Sequence, residues 1–152
     1  MTTIKQEDFI QSIADGFQFI SYYHPVDFIK AMGEAYEREQ SPAAKNAIAQ
    51  ILMNSRMATE GHRPVCQDTG IAVVFLKIGM DVRWEATLSV QEMANEGVRR
   101  AYTDKDNPLR ASMLADPAGA RENTRDNTPA MVYTELVPGD KVEVRLAAKG
   151  GS

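Results

Sequence analysis

Ile71-Ala72-Val73-Val74-Phe75-Leu76 is an unbroken apolar run, rich in β-branched residues and too short for an ordinary helix. It reads as a strand covered on both faces, ended by Gly79. The run divides the chain. Before it the apolar residues recur at helical spacing, and behind it most of the pattern alternates as strands do.

Upstream, Phe9, Ile13, Phe17 and Ile20 fall on one helical face over residues 7 to 20. Pro25 suits the first turn of a second helix that turns Phe28, Ile29, Met32 and Tyr36 inward and frays by Glu39. Ser41-Pro42 repeats the start signal for a third, with Ala44, Ala47, Ile48, Ile51, Leu52 and Ser55 in period and Gly61 placed as the stop. Downstream, Val82 to Trp84 is a short extended piece. Ser89-Val90-Gln91-Glu92 has the form of a capping box and opens a helix through Met93, Val98, Ala101 and Tyr102. No period survives from Thr103 to Thr128, which predicts a long functional or mobile loop. Ala130 to Val137 and Lys141 to Ala148 then read as two strands of a hairpin turned by Pro138-Gly139-Asp140, with Val142, Val144 and Leu146 inward. Helices in front and strands mainly behind, with one helix between, predict an α+β fold.

The 152 residues fit one domain with a real core. With 43% hydrophobic and 25% charged residues, the composition is that of a globular protein. A net charge of -4 and the lack of any basic run argue against nucleic acid as a partner. The first residues do not read as a secretory signal, and no stretch is long and apolar enough for a membrane span. The single cysteine cannot form an internal disulfide, which fits a reducing, cytoplasmic setting.

That cysteine lies in the loop leading into the strand, Gly61-His62-Arg63-Pro64-Val65-Cys66-Gln67-Asp68-Thr69-Gly70. A lone cysteine is commonly a small buried apolar residue, and Asp-Thr-Gly an ordinary turn. The alternative is a site, since an amide, a carboxylate and a hydroxyl surround one soft ligand. Zinc lacks ligands, because His62 and His24 are the only histidines to join Cys66. A nucleophilic thiolate is disfavoured by the carboxylate of Asp68. A share in an iron-sulfur centre completed elsewhere remains. Arg110, behind the turn Asp106-Asn107-Pro108-Leu109, either faces water or aims its fork at a carboxylate. Lys149-Gly150-Gly151 either presents backbone N–H groups to an anion or is a flexible end.

Four segments in order, Val65 to Gly70, Asp106 to Arg110, Asn127-Thr128-Pro129-Ala130 and Ala148-Lys149-Gly150-Gly151, resemble the N-terminal part of class I iron-sulfur fumarate hydratases, a family shared with L-tartrate dehydratase. The resemblance implies a hydro-lyase interconverting fumarate and L-malate through Lewis-acid catalysis at a [4Fe-4S] cluster with one iron open to substrate. It implies that Cys66 is one of three cluster ligands and that Gln67 and Asp68 line the substrate pocket. Asp68 would also handle a proton with a histidine from the C-terminal part. Arg110 would hold a substrate carboxylate, and Gly151 would give a backbone contact. A small dicarboxylate, the C-terminal domain of the same enzyme and a second subunit in a homodimer are the partners so implied.

The family's pattern continues past the glycine run, whereas this sequence stops at Ser152 and lacks the second and third cluster cysteines and the partner histidine. The chain is therefore expected to be the N-terminal portion of a longer enzyme, inert and cluster-free by itself, since one thiolate cannot hold a cubane. Two readings stand beside this one. The aromatic front, Phe17, Phe19, Tyr22, Tyr23 and Phe28, could make the chain a subunit-association module, and Cys66 could be a redox-sensing thiol.

Overall fold

The computed structural model describes residues 2–107 and 109–150. In chain order the elements are β1 (Thr3–Lys5), α1 (Gln6–Tyr22), α2 (Val26–Arg38), α3 (Pro42–Gly61), β2 (Ile71–Gly79), β3 (Arg83–Glu85), α4 (Val90–Tyr102), β4 (Met131–Val137) and β5 (Val142–Lys149). This is the expected α+β organisation. Helices α1 and α4 lie together on one face of a three-stranded sheet, and their apolar stripes meet the inward side chains of β2.

The core is Phe9, Ile10, Ile13 and Phe17 of α1, Met93, Ala94, Val98 and Ala101 of α4, and Ala72, Val74, Leu76 and Ile78 of β2. Burying each large apolar side chain contributes about 1.5–3 kcal/mol. Four of them on α1 outweigh the cost of about 1 kcal/mol for Gly16 within that helix. The capping box at α4 forms as expected: the Glu92 N–H donates to Ser89 Oγ at 3.2 Å, and the Ser89 N–H donates to Glu92 Oε2 at 2.8 Å. These bonds from Ser89, backbone first and hydroxyl second, hold the Glu92 carboxyl below its ordinary pKa.

The sheet corrects the expected hairpin. Its order is β4-β2-β5, with β2 parallel to β4 and antiparallel to β5, so the two C-terminal strands flank β2 and do not pair with each other. The cause lies at Gly79, whose missing side chain leaves room for Pro138-Gly139-Asp140 to arch over the end of β2. A Cβ there would stand 2.2 Å from the Gly139 carbonyl oxygen. The arch is sealed by N–H bonds from Gly79 to Lys141 O, Met80 to Val137 O and Asp81 to Gly139 O, at 2.8–2.9 Å.

Nor is β2 covered on both faces beyond Val73, which is buried. Ala72, Val74, Leu76 and Ile78 are buried, while Phe75 and Lys77 emerge on the opposite face, where Phe75 stacks on Tyr133 with ring centroids 5.4 Å apart. A parallel β1–β3 pair, Thr3 to Arg83 through Lys5 to Glu85, forms a second small sheet, and β1 was not expected.

Helices α2 and α3 stand off the core as a pair. The expected inward residues of α2, Phe28, Ile29, Met32 and Tyr36, are half-buried, and α3 buries only Ser55 and Ala58. Gly61 is the last helical residue of α3, and the left-handed stop falls on His62 at φ 46°. Among its described residues the 103–128 segment holds no helix or strand, only a bridge between Leu114 and Asn123. No helix among the described residues is long and apolar enough to cross a membrane.

Candidate active site

The loop between α3 and β2 is tied at both ends and open between. At its start the Val65 N–H donates to Ser21 O at 2.8 Å, and Asn54 Nδ2 donates to Val65 O at 2.8 Å. At its end Thr69 and Gly70 are buried, and the Tyr102 hydroxyl donates to Thr69 O at 2.8 Å. Cys66 and Gln67 project into solvent and Asp68 is half-buried. Cys66 is therefore not the buried apolar residue that a lone cysteine commonly is. Its thiol donates weakly to Gln67 Oε1 at 3.7 Å.

The expected anchor for Arg110 is present. Leu109 is buried, and Asn107 is clasped by Gln18 of α1: Asn107 Nδ2 donates to Gln18 Oε1 at 2.6 Å, and Gln18 Nε2 donates to Asn107 O at 3.1 Å. From there the chain runs beside the Cys66 loop. The Thr69 hydroxyl donates to Arg110 O, and the Ser112 hydroxyl donates to Gly70 O at 3.2 Å. The result is an open cleft of about 260 Å³ lined by Gln67, Asp68, Arg110 and Ser112. Three of these four were expected from the sequence. Ser112 was not, because a serine two residues past Arg110 carries no pattern of its own.

The end of β5 closes the third side. Gly70 takes φ +68°, and a Cβ on it would lie 2.4 Å from the Lys149 carbonyl. Only glycine satisfies both demands. Gly150 stands against Asp68, where an added Cβ would be 2.8 Å from Oδ2. Of the expected glycine contacts, Gly150 therefore reaches the cleft, while Gly151 lies outside the described residues. The Asn127-Thr128-Pro129-Ala130 segment arrives through Asn127, whose Nδ2 donates to Gly70 O at 2.8 Å. The segments singled out in the sequence thus meet at Thr69 and Gly70.

The sequence profile of the Fumerase family, described as fumarate hydratase, matches residues 10–152. The chain belongs to this family. Among proteins similar to it, the putative L(+)-tartrate dehydratase subunit alpha of Methanocaldococcus jannaschii is 35% identical over 115 residues, 76% of this chain and 39% of that protein. The anaerobic class I fumarate hydratase of Escherichia coli K12 is 37% identical over 76% of this chain and 21% of its own length. The aerobic class I enzyme of the same strain is 38% identical over 74% and 20%. The chain thus spans between a fifth and two fifths of the length of these relatives.

The two histidines of this Fumerase-family chain are engaged elsewhere. His24 Nδ1 lies 2.9 Å from Ser55 Oγ, and His62 stacks on Tyr22 at 4.9 Å between ring centroids. Among the described residues no three His, Cys, Asp or Glu side chains gather as a metal-binding group. For an iron-sulfur cluster the fit is partial and specific: an exposed thiol next to the cleft suits one ligand position, and the other ligands must come from outside the described residues.

Proposed function

We propose that this chain is the part of a hydro-lyase that grips one end of a small dicarboxylate and contributes one thiolate to a [4Fe-4S] cluster, in an enzyme interconverting fumarate and L-malate. The convergence of Gln67, Asp68 and Arg110 on one cleft, from loops far apart in sequence, carries this reading. Arg110 offers two parallel N–H donors to one carboxylate and fixes the orientation of the dianion. Gln67 can donate from its amide to a second oxygen. Asp68, held beside Gly150, is the group on this chain able to take or give the proton when water adds across the double bond. The hydroxyl bonds to one carbon and the proton to its neighbour, so Asp68 works with a second acid–base group outside the described residues. Cys66 would hold one iron of the cluster, which supplies Lewis acidity toward the substrate's oxygens.

By itself the chain is inert on this reading, since its one cysteine supplies one of the three thiolates needed. The tartrate dehydratase relative makes L-tartrate the alternative substrate, with the same dicarboxylate grip. Anaerobic reconstitution of the complete assembly with iron and sulfide tests the proposal. Cluster absorbance and fumarate hydration should both vanish in Cys66→Ser, and a serine variant that keeps both sinks the assignment. Fumarate and L-tartrate as rival substrates in the same assay decide between the two.

A second reading, association through the helical front, draws on the exposure of Phe19, Ile51, Met53 and Met57. Phe17 is excluded from such a surface because it is fully buried in the core. Sedimentation of the chain at rising concentration tests this, and a monomer throughout counts against it.

A further inference from the structure

Asn127 has no exposed surface, and the proposed chemistry does not use it. Its whole amide is engaged, a bond with the Tyr102 phenol included. Oδ1 accepts the N–H of Ser112 at 2.8 Å and of Met113 at 3.2 Å, while Nδ2 donates to Gly70 O at 2.8 Å. These bonds bridge the strand of chain that carries Arg110 to the loop that carries Gln67 and Asp68. Asn127 is itself fixed from α4, because its neighbour Asp126 accepts from Arg99 Nε at 3.1 Å and from the Thr128 N–H at 3.0 Å.

We infer that Asn127 is a positioning residue for dicarboxylate recognition, setting how far the Arg110 guanidinium stands from the Gln67–Asp68 pair without touching the ligand. The inference rests on the dicarboxylate reading above. A planar, trans-substituted dianion fixes the distance from the carboxylate that Arg110 grips to the oxygen and reacting carbon that Gln67 and Asp68 meet, so it rewards a fixed spacing of those groups and loses binding when they drift. The bridge needs an acceptor for two N–H groups and a donor for a carbonyl on one short side chain, which a primary amide provides. Asparagine also tolerates the left-handed backbone found here, φ 61°.

Asn127→Gly removes the amide and keeps the backbone unstrained. Asn123→Ala is the control, since Asn123 ties the same segment internally, Nδ2 to Ala111 O at 2.8 Å, without reaching Gly70. Amide hydrogen exchange on the 152-residue chain is the first measurement. In Asn127→Gly the Ser112 and Met113 amides should exchange about tenfold faster or more, while those of Val74 and Leu76 stay protected. Unchanged exchange at Ser112 and Met113 overturns the inference.

Fumarate titration, followed at the Arg110 Nε–H resonance, is the second. Asn127→Gly should weaken Kd about fivefold or more while Asn123→Ala stays within about twofold of wild type. Equal weakening in both, or none in Asn127→Gly, overturns the positioning role. A wild-type chain silent to fumarate instead brings down the dicarboxylate reading, and this inference with it. Should Asn127→Gly lose protection throughout β2, Asn127→Asp serves in its place. It keeps the acceptor for Ser112 and Met113 but not the donor to Gly70, so exchange at those two amides should stay slow while Kd still weakens.

Discussion

Gly70 and Lys149 are in backbone contact. A Cβ placed on Gly70 would lie 2.4 Å from both the carbonyl carbon and the carbonyl oxygen of Lys149, and 2.7 Å from the Gly150 nitrogen. At this seam the Cys66 loop turns into β2 beside the end of β5, which pairs Ile71 with Lys149 in the same register. The seam sets where the loop's exposed residues stand.

Gly70→Ala should therefore be severe. The left-handed φ costs a side chain about 1–2 kcal/mol, and overlap with backbone atoms that cannot rotate away adds about as much again. A loss of about 3 kcal/mol in urea unfolding is the expected outcome. A loss under about 1 kcal/mol would show that the strand ends part readily and that the seam positions nothing.

Gly150→Ala separates stability from function. Gly150 is exposed and its φ is not in the left-handed region, so the fold should lose no more than about 0.5 kcal/mol. The new methyl would meet Asp68 Oδ2 at 2.8 Å and push the carboxylate aside. In the complete enzyme hydration should fall about tenfold or more, as expected when an acid–base group is misplaced. Unimpaired hydration would remove Asp68 from the chemistry.

The sequence was most legible where one short segment decides the structure. Ser89 and Glu92 announce α4 because a capping box closes within four residues, and the spacing of Phe9, Ile13 and Phe17 suffices to place α1 against the core. Strand pairing was not legible. Pro138-Gly139-Asp140 has the composition of a hairpin turn, and nothing local reveals that Gly79, about sixty residues earlier, leaves a gap through which that segment crosses β2. β1 is too short to show a period. In the site, Gln67, Asp68 and Arg110 were found through their order along the chain, whereas Ser112 and Asn127 act through bonds to Gly70 that only the folded chain brings within reach.

Gly97→Ala tests the packing of α1 on α4. Alanine improves helix propensity by about 1 kcal/mol, so an exposed glycine here would gain stability on replacement. Gly97 is instead buried, and a Cβ would stand 2.7 Å from Ile13 Cβ and 2.9 Å from Ile10 O. The helices must separate to admit it. The net result should be a loss of about 1–2 kcal/mol, read from the urea midpoint at constant slope. A stabilised variant would mean that the helices have slack at this crossing.

Tyr102 links the core to the site and should report on both through pH. Burial pushes its phenol up to about 12 from 10.0, against the opposing pull of its hydrogen bonds with Asn127 and Thr69. A raised folded pKa means that the native state holds the proton after the unfolded chain has released it. Stability from this group is then full below pH 10.0 and drains away as pH rises toward about 12. Between pH 9 and 11 the wild-type chain should lose about 1 kcal/mol that Tyr102→Phe does not lose. The phenylalanine variant should start lower by about 1–2 kcal/mol, because the buried Thr69 carbonyl loses its donor. The two stability curves must therefore converge as pH rises. Parallel curves over that interval would show that the phenol titrates alike in the folded and unfolded chains, and curves that already coincide at about pH 9 would show that the bond to Thr69 does not hold the loop.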